Sequence, residues 1–258
     1  MVDSYRRVMN ARSSSRALGA YYINALTDNF FELHGDRKYK DDGAIVSGIA
    51  ELDGIPVTVI AMERGTTIED RMSRNFGCPS PDGYRKALRL MKQAEKFSRP
   101  VLCIINSSGA YCGIDAEERG QGQAIADNLM EMMTLKTPII SIVAGEGGSG
   151  GALALSVADK IIMLENAVYS VISPEGCASI LWKDAKRAPE ASDALRLTAQ
   201  DLYEFKIADE VIPEENLPQT EIDKKLKEAI KKYLKELMKK SEKQLLESRY
   251  DKFRVIGK

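Results

Sequence analysis

Seven residues constrain this chain more than any others: Gly145-Glu-Gly-Gly-Ser-Gly-Gly, preceded by Pro138-Ile-Ile-Ser-Ile-Val-Ala and followed by Ala152-Leu-Ala-Leu-Ser-Val-Ala. A β-branched run, a glycine-dense turn and an alanine-leucine segment read as strand, loop and helix. Glycine lets a ligand approach the backbone closely, and a helix start leaves several N–H groups without acceptors. Such groups suit a phosphate, a carboxylate or a developing oxyanion. The function is expected to sit here, and the question is which anion.

The 258 residues are 44% apolar and 29% charged, enough to bury a core. A net charge of −1 gives no reason to expect nucleic acid or an anionic membrane as partner. The start, Met1-Val-Asp-Ser-Tyr-Arg-Arg, has no apolar core of a signal peptide. Residues 137–158 are apolar enough to mimic a membrane helix, but Glu146 and the glycines break the run. Cys78, Cys103, Cys112 and Cys177 are scattered, and His34 is the single histidine. That pattern fits a reducing cytoplasm and implies neither a disulfide framework nor a metal site.

A helix is expected over about residues 13–33, carrying Leu18, Tyr22, Leu26 and Phe30. Two β-rich runs joined at Asp53-Gly54 then read as a hairpin. Helix and strand alternate from there: helices near 82–97 and 115–134, strands near 100–105, 138–144 and 160–164, and a short helix after Gly151. Such alternation implies right-handed crossovers and a largely parallel sheet. Short helices and a strand near 207–212 follow. A lysine-rich helix over 221–246 carries the stripe Ile222, Leu226, Ile230, Tyr233, Leu237. This stripe packs either on its own domain or on a partner.

Three motifs overlap the glycine loop. Gly145-x-Gly147-x-x-Gly150, with Glu165 some way on, satisfies a dinucleotide fingerprint, but the helix is short and the loop comes late in the fold. Gly147-x-Ser149-x-Gly151 matches a nucleophile elbow, yet no histidine follows it, so Ser149 reads as a loop or cap residue. No phosphate-binding Gly-x-x-x-x-Gly-Lys-Ser/Thr is present. A second loop, Asn106-Ser-Ser-Gly-Ala-Tyr-Cys-Gly, also follows a strand. Two loops exposing amides at one sheet edge supply what an oxyanion hole needs. Glu117, Glu118 and Arg119 nearby are better read as ion-paired or capping residues, so backbone polarisation fits better than side-chain acid–base chemistry.

The runs Asn75-Phe-Gly-Cys-Pro-Ser-Pro-Asp-Gly-Tyr-Arg-Lys-Ala-Leu-Arg-Leu-Met-Lys, Gly109-Ala-Tyr-Cys-Gly-Ile-Asp-Ala-Glu-Glu-Arg-Gly-Gln, Gly145-Glu-Gly-Gly-Ser-Gly-Gly-Ala-Leu-Ala and Tyr169-Ser-Val-Ile-Ser-Pro-Glu-Gly-Cys-Ala-Ser-Ile-Leu-Trp-Lys closely resemble the α subunits of bacterial acetyl-CoA carboxylase carboxyltransferase. The resemblance is collinear over about residues 31–213 and returns at Ser248-Arg-Tyr-Asp-Lys. It implies an α/β crotonase-like ββα superhelix over 1–258, with a helical lead-in (1–34) and a helical tail (220–258). It also implies transfer of a carboxyl group from carboxybiotin to acetyl-CoA, giving malonyl-CoA for fatty acid synthesis. Biotin would ride on a separate carrier protein, and ATP would be used elsewhere in the complex, at the biotin carboxylase. A zinc-ribbon-bearing β subunit would complete a heterotetramer, and this chain would hold no metal. Amides within Gly147, Gly148, Gly150 and Gly151 would stabilise the biotin ureido oxygen, and Gly109, Ala110 and Tyr111 would line the same pocket. A valine at 148 or 151 is accordingly expected to fill the ligand space and leave the fold intact.

The chain departs from the family's usual pattern at Asn106-Ser107-Ser108, where Asp-Thr-Pro is common, and at Cys112, where proline is usual. Losing two prolines loosens the loop. Two other readings stay open: a different acyl-CoA enzyme on the same fold (hydratase, isomerase or hydrolase), and a non-catalytic scaffold subunit.

Overall fold

The computed structural model describes residues 3–257. Helices α1 (Ser4–Arg12) and α2 (Gly19–Leu26) lead into β1 (Asp28–Glu32), then β2 (Ile45–Leu52) and β3 (Ile55–Met62). The single helix expected over 13–33 is therefore two elements. Tyr22 and Leu26 are buried on α2, but Phe30 lies in β1, an edge strand antiparallel to β2. Pairing with β2 overrides the helical spacing there. Asp53 and Gly54 both take positive φ, 49° and 81°, as a two-residue hairpin turn demands.

After α3 (Ile68–Ser73) come α4 (Pro81–Lys96), β4 (Val101–Ser107), α5 (Ile114–Glu118), α6 (Gln121–Thr134) and β5 (Ile139–Gly148). The helix expected over 115–134 is split because Gly120 sits at φ 80°. Then follow α7 (Ser149–Leu153), β6 (Lys160–Leu164), β7 (Val168–Ser170), α8 (Pro174–Trp182), α9 (Ala188–Leu195), α10 (Ala199–Glu204), β8 (Glu210–Ile212), α11 (Gln219–Leu237) and α12 (Glu242–Arg254). The sheet order is β1-β2-β3-β4-β5-β6-β8, with β7 paired to β5. From β3 onward the pairings are parallel. Ile104, Ile140, Ile142, Val143 and Ile162 are buried in one continuous core, which explains their unbroken apolar runs.

The lysine-rich helix packs on its own chain: Ile222, Leu226, Ile230, Tyr233 and Leu237 are all buried. It ends at Leu237, because Ser241 and Gln244 form a capping box that starts α12. Among the described residues no helix is long and apolar enough to cross a membrane.

One buried cation fastens α12. Arg249 is 0% exposed. Its Nε and Nη2 donate to Asp159, and its remaining N–H groups reach the carbonyls of Met132, Leu135 and Thr137. Asp159 also accepts from the Ile139 amide at the start of β5. One guanidinium thus ties the end of α6, the start of β5 and the last helix together. Arg249→Met leaves Asp159 buried without its cation, so urea unfolding should show a loss of about 3–5 kcal/mol. A midpoint within error of the parent chain would contradict this role.

Candidate active site

The carboxyl ends of β4 and β5 lie side by side, with Ser107 opposite Gly147. β5 continues beyond its neighbours, and Glu146–Gly148 pair in parallel with Val168–Ser170. Residues 145–148 are therefore strand, not the glycine-dense turn expected. The turn is confined to Ser149, at φ 51°. A non-glycine residue held there costs about 1–3 kcal/mol. The hydroxyl faces no base: among the described residues no carboxylate or histidine hydrogen-bonds Ser149, and His34 pairs with Asp41.

What side chains would meet explains the other glycines. A Cβ on Gly148 would strike the Ser108 carbonyl and Gly109 N, and a Cβ on Gly151 would strike Gly109 C and Ala110 N. The two loops touch backbone to backbone, with no room for a methyl group between them. A valine at 148 or 151 would therefore wedge the loops apart, which corrects the expectation that it would merely fill ligand space. Gly145 leaves room for Asn106, whose Oδ1 accepts the Glu146 amide at 3.1 Å. Gly147 makes way for the Tyr169 ring. Gly150 differs: a Cβ there meets only Ile125, at 3.7 Å.

This contact leaves N–H donors unspent. α7 has no side-chain cap, and its first amides have no intrahelical acceptor. Among the described residues nothing accepts from the amides of Ala110, Ser149, Gly150 or Gly151. Two cavities meet at Ser149. One, of about 70 Å³, is lined by Arg12, Ser108, Glu146, Gly147, Gly148 and Ser170 among others. The other, of about 330 Å³, is apolar, with Gly150, Leu153, Tyr169, Val171 and, from α12 and beyond, Phe253 and Ile256 in its wall. Gly109, Ala110 and Gly151 form the seam between the loops and line neither cavity. Tyr111 lines neither cavity as well: its ring lies over Gly113, its amide donates to Pro79 and its carbonyl accepts from Gln121.

Side chains fix this edge from several directions. Arg12 bonds both Glu146 and Glu175 at 2.8 Å, and Arg7 bonds Glu165 at 2.9 Å, so α1 lies across the strand ends. Glu165, the acid of the dinucleotide fingerprint, is occupied by Arg7 and by the amides of Glu214 and Glu215. Arg119 pairs with Asp82 and Asp115, while Glu117 and Glu118 are exposed. Composition and periodicity signalled none of Arg12, Asn106 or the buried Tyr84. The hydrogen bonds of Arg12 and Asn106 span 40 to 163 residues of sequence, which no local pattern carries.

The α1 attachment is pH-sensitive. The Arg12 guanidinium holds Glu175 below its ordinary 4.5. Burial pushes Glu165 up, but the Glu214 and Glu215 amides and Arg7 outweigh it and hold it below the same value. Carboxyls depressed in the folded chain stabilise it fully above their unfolded value and lose that contribution as pH falls through the depressed one. Hydrogen exchange of α1 amides, corrected for intrinsic rates, should therefore be slow at about pH 6 and accelerate below about pH 4. Protection unchanged across that interval would refute the role of these pairs.

The family model described as acetyl co-enzyme A carboxylase carboxyltransferase-like matches residues 1–257. The chain belongs to this family. It is 56% identical over 258 residues to the acetyl-coenzyme A carboxylase carboxyl transferase subunit alpha of Clostridium botulinum (strain Alaska E43 / Type E3), covering 98% of this chain and 94% of that protein. It is 54% identical over 254 residues to the subunit of the same name from Streptococcus uberis, covering 98% and 99%. Two solved structures share the fold at low identity. One is a Pseudomonas malonate decarboxylase hetero-tetramer in complex with coenzyme A (TM-score 0.69, 18% identity, 90% of this chain and 92% of that one). The other is transcarboxylase 12S (TM-score 0.68, 19% identity, 82% of this chain and 40% of that one). The fold is thus the crotonase-like superhelix of carboxyltransferases. For this member of the carboxyltransferase α family, the seam predicts an asymmetry among glycines. Gly148→Ala and Gly151→Ala should each lose about 1–3 kcal/mol through overpacking, while Gly150→Ala stays within about 0.5 kcal/mol. Calorimetric melting of the three variants tests it, and equal losses would overturn the seam.

Proposed function

We propose that this chain supplies the carboxybiotin half of a carboxyltransferase that makes malonyl-CoA from acetyl-CoA. The observation that carries this reading is the backbone-to-backbone contact of two loops, which brings the unspent amide of Ala110 close to those of Ser149–Gly151, next to an apolar cavity that Ser149 and Gly150 line. Carboxybiotin, borne by a separate carrier protein, supplies the carboxyl group. The residues fit it: the apolar cavity of about 330 Å³ accepts a fused ring, with the amides of Ser149 and Gly150 at its edge. Those amides would take the ureido oxygen, where negative charge grows as the carboxyl group leaves. Backbone donors fixed in place act without reorganising, and each is worth roughly 10²–10³ in rate.

One set of donors serves one oxygen. Carboxyl transfer to a thioester builds charge on a second oxygen, and among the described residues no second set lies beside the first. That set would belong to the β subunit, which the family resemblance implies bears a zinc ribbon, with the active site in the cleft between subunits. A hydratase or hydrolase on this fold would need a carboxylate facing the amides. Glu146 is instead tied to Arg12, and Glu117 and Glu118 lie on the surface.

Purified alone, the chain should show no transfer of a carboxyl group from malonyl-CoA to a biotin-linked substrate, with acetyl-CoA released, and turnover should appear on co-expression with a β subunit. In that complex Ser149→Ala should keep activity within about tenfold, whereas loss of a nucleophile costs on the order of 10⁴ or more. Full turnover by the chain alone would sink the divided site. A nucleophile-sized loss at Ser149 would revive the hydrolase reading.

A further inference from the structure

Tyr84 has no part in the mechanism above; its ring belongs to the buried core, yet packing does not explain its hydroxyl. It lies in the first turns of α4 and is 0% exposed. Among the described residues its hydroxyl has no hydrogen-bond partner. A buried hydroxyl left unpaired costs stability that a phenylalanine ring would not, so native structures rarely keep one without use. The hydroxyl also has a specific address. It lies 2.9 Å from the point a Cβ on Gly151 would occupy, and Gly109 C and Ala110 N lie within 3.0 Å of the same point. The phenol therefore reaches the seam from behind, beside the peptide group whose Ala110 N–H is unspent.

Its placement is enforced. Asp42 accepts the Ser80 amide at 2.7 Å, fixing the start of α4. A Cβ on Gly83 would meet the same carboxylate at 2.6 Å, so α4 packs down directly on Asp42. The Pro79 carbonyl accepts from the amide of Tyr111 and the side chain of Gln121, tying this segment to the first loop. These contacts hold Tyr84 fully buried against the seam.

We infer that Tyr84 is a positioning residue of the oxyanion site, its unpaired hydroxyl turning toward the loop peptides as negative charge builds on the oxygen they hold. An unpaired phenol O–H can flip between its two orientations in the ring plane. It can point one way in the resting chain and another when the amides are loaded. In a dry interior such a dipole acts at longer range than in water and polarises the hydrogen bonds in front of it. Burial, together with the nearby Cys78 and Asp42, pushes the phenol well above the ordinary tyrosine range, so it stays protonated and works as a dipole, not an acid. Nothing here requires contact with the substrate.

This inference rests on the carboxyltransferase reading, and the test separates the two. Tyr84→Phe removes one oxygen and no packing volume. In the complex with a β subunit, kcat should fall about tenfold while KM for the biotin substrate changes less than about twofold, the pattern of an interaction felt only in the transition state. The melting temperature of the variant should equal or exceed that of the parent, because the unpaired hydroxyl is gone. Incorporation of 3-fluorotyrosine at position 84, which keeps a hydroxyl, should restore kcat to within about twofold of the parent. Unchanged kcat in Tyr84→Phe would overturn the inference and leave the carboxyltransferase reading intact. A fall in kcat accompanied by a lower melting temperature would assign Tyr84 a packing role and overturn it also. A wild-type complex without turnover would remove the reading and this inference together.

Discussion

Everything that gives this edge of the molecule its chemistry depends on two stretches of backbone touching. Gly148 lies against Ser108–Gly109 and Gly151 against Gly109–Ala110, with no side chain between them. That closeness sets the spacing between the Ala110 amide and the amides at the start of α7. Side-chain donors would bring rotamer freedom to such a site, whereas amides on a strand end and a helix start bring none. The strain at Ser149 belongs to the same constraint. A strand must become a helix within one residue to keep Gly148 and Gly151 on the same seam.

Contacts remote in sequence hold the seam from three sides. Behind it, Asp42 sets α4 and so places Tyr84. Beside it, Asn106 holds the Glu146 amide, and Gln121 holds both Pro79 and Tyr111. Above it, Arg12 grips Glu146 and Glu175 from α1. On the far side Arg249 fixes α12, whose Phe253 walls the apolar cavity. Within the loop itself, Asn106 accepts the Glu146 amide, and Ser107 Oγ donates to the Gly109 carbonyl at 2.7 Å.

The sheet was legible in the sequence because its physics is local. Apolar runs such as Val101–Ile105 and Ile139–Val143 form buried parallel strands, and Asp53-Gly54 carries its turn in its own composition. The ends of the chain were misread where tertiary pairing decides. Residues 28–32 have helical spacing but pair with β2, and the break before α12 is written in the Ser241–Gln244 capping box, a signal hidden inside a lysine-rich run. Glycine density marked this stretch as the candidate site, and the four long motifs carried the family resemblance, but the density suggested a turn lined by ligand. The glycines at 145, 147, 148 and 151 instead exist to let Asn106, Tyr169 and the facing loop approach. Of these glycines only Gly150 could carry a Cβ without a clash, and no one-dimensional pattern distinguishes it from its neighbours.

The central claim is that two loops press together so that their amides meet on one oxygen. A crystal structure of the α–β complex with a biotin methyl ester tests it most directly. The account predicts the ureido oxygen about 2.7–3.1 Å from at least one amide of the Ser149–Gly151 turn and from the Ala110 amide. A ureido oxygen held by side chains, or by amides of one loop only, would contradict it.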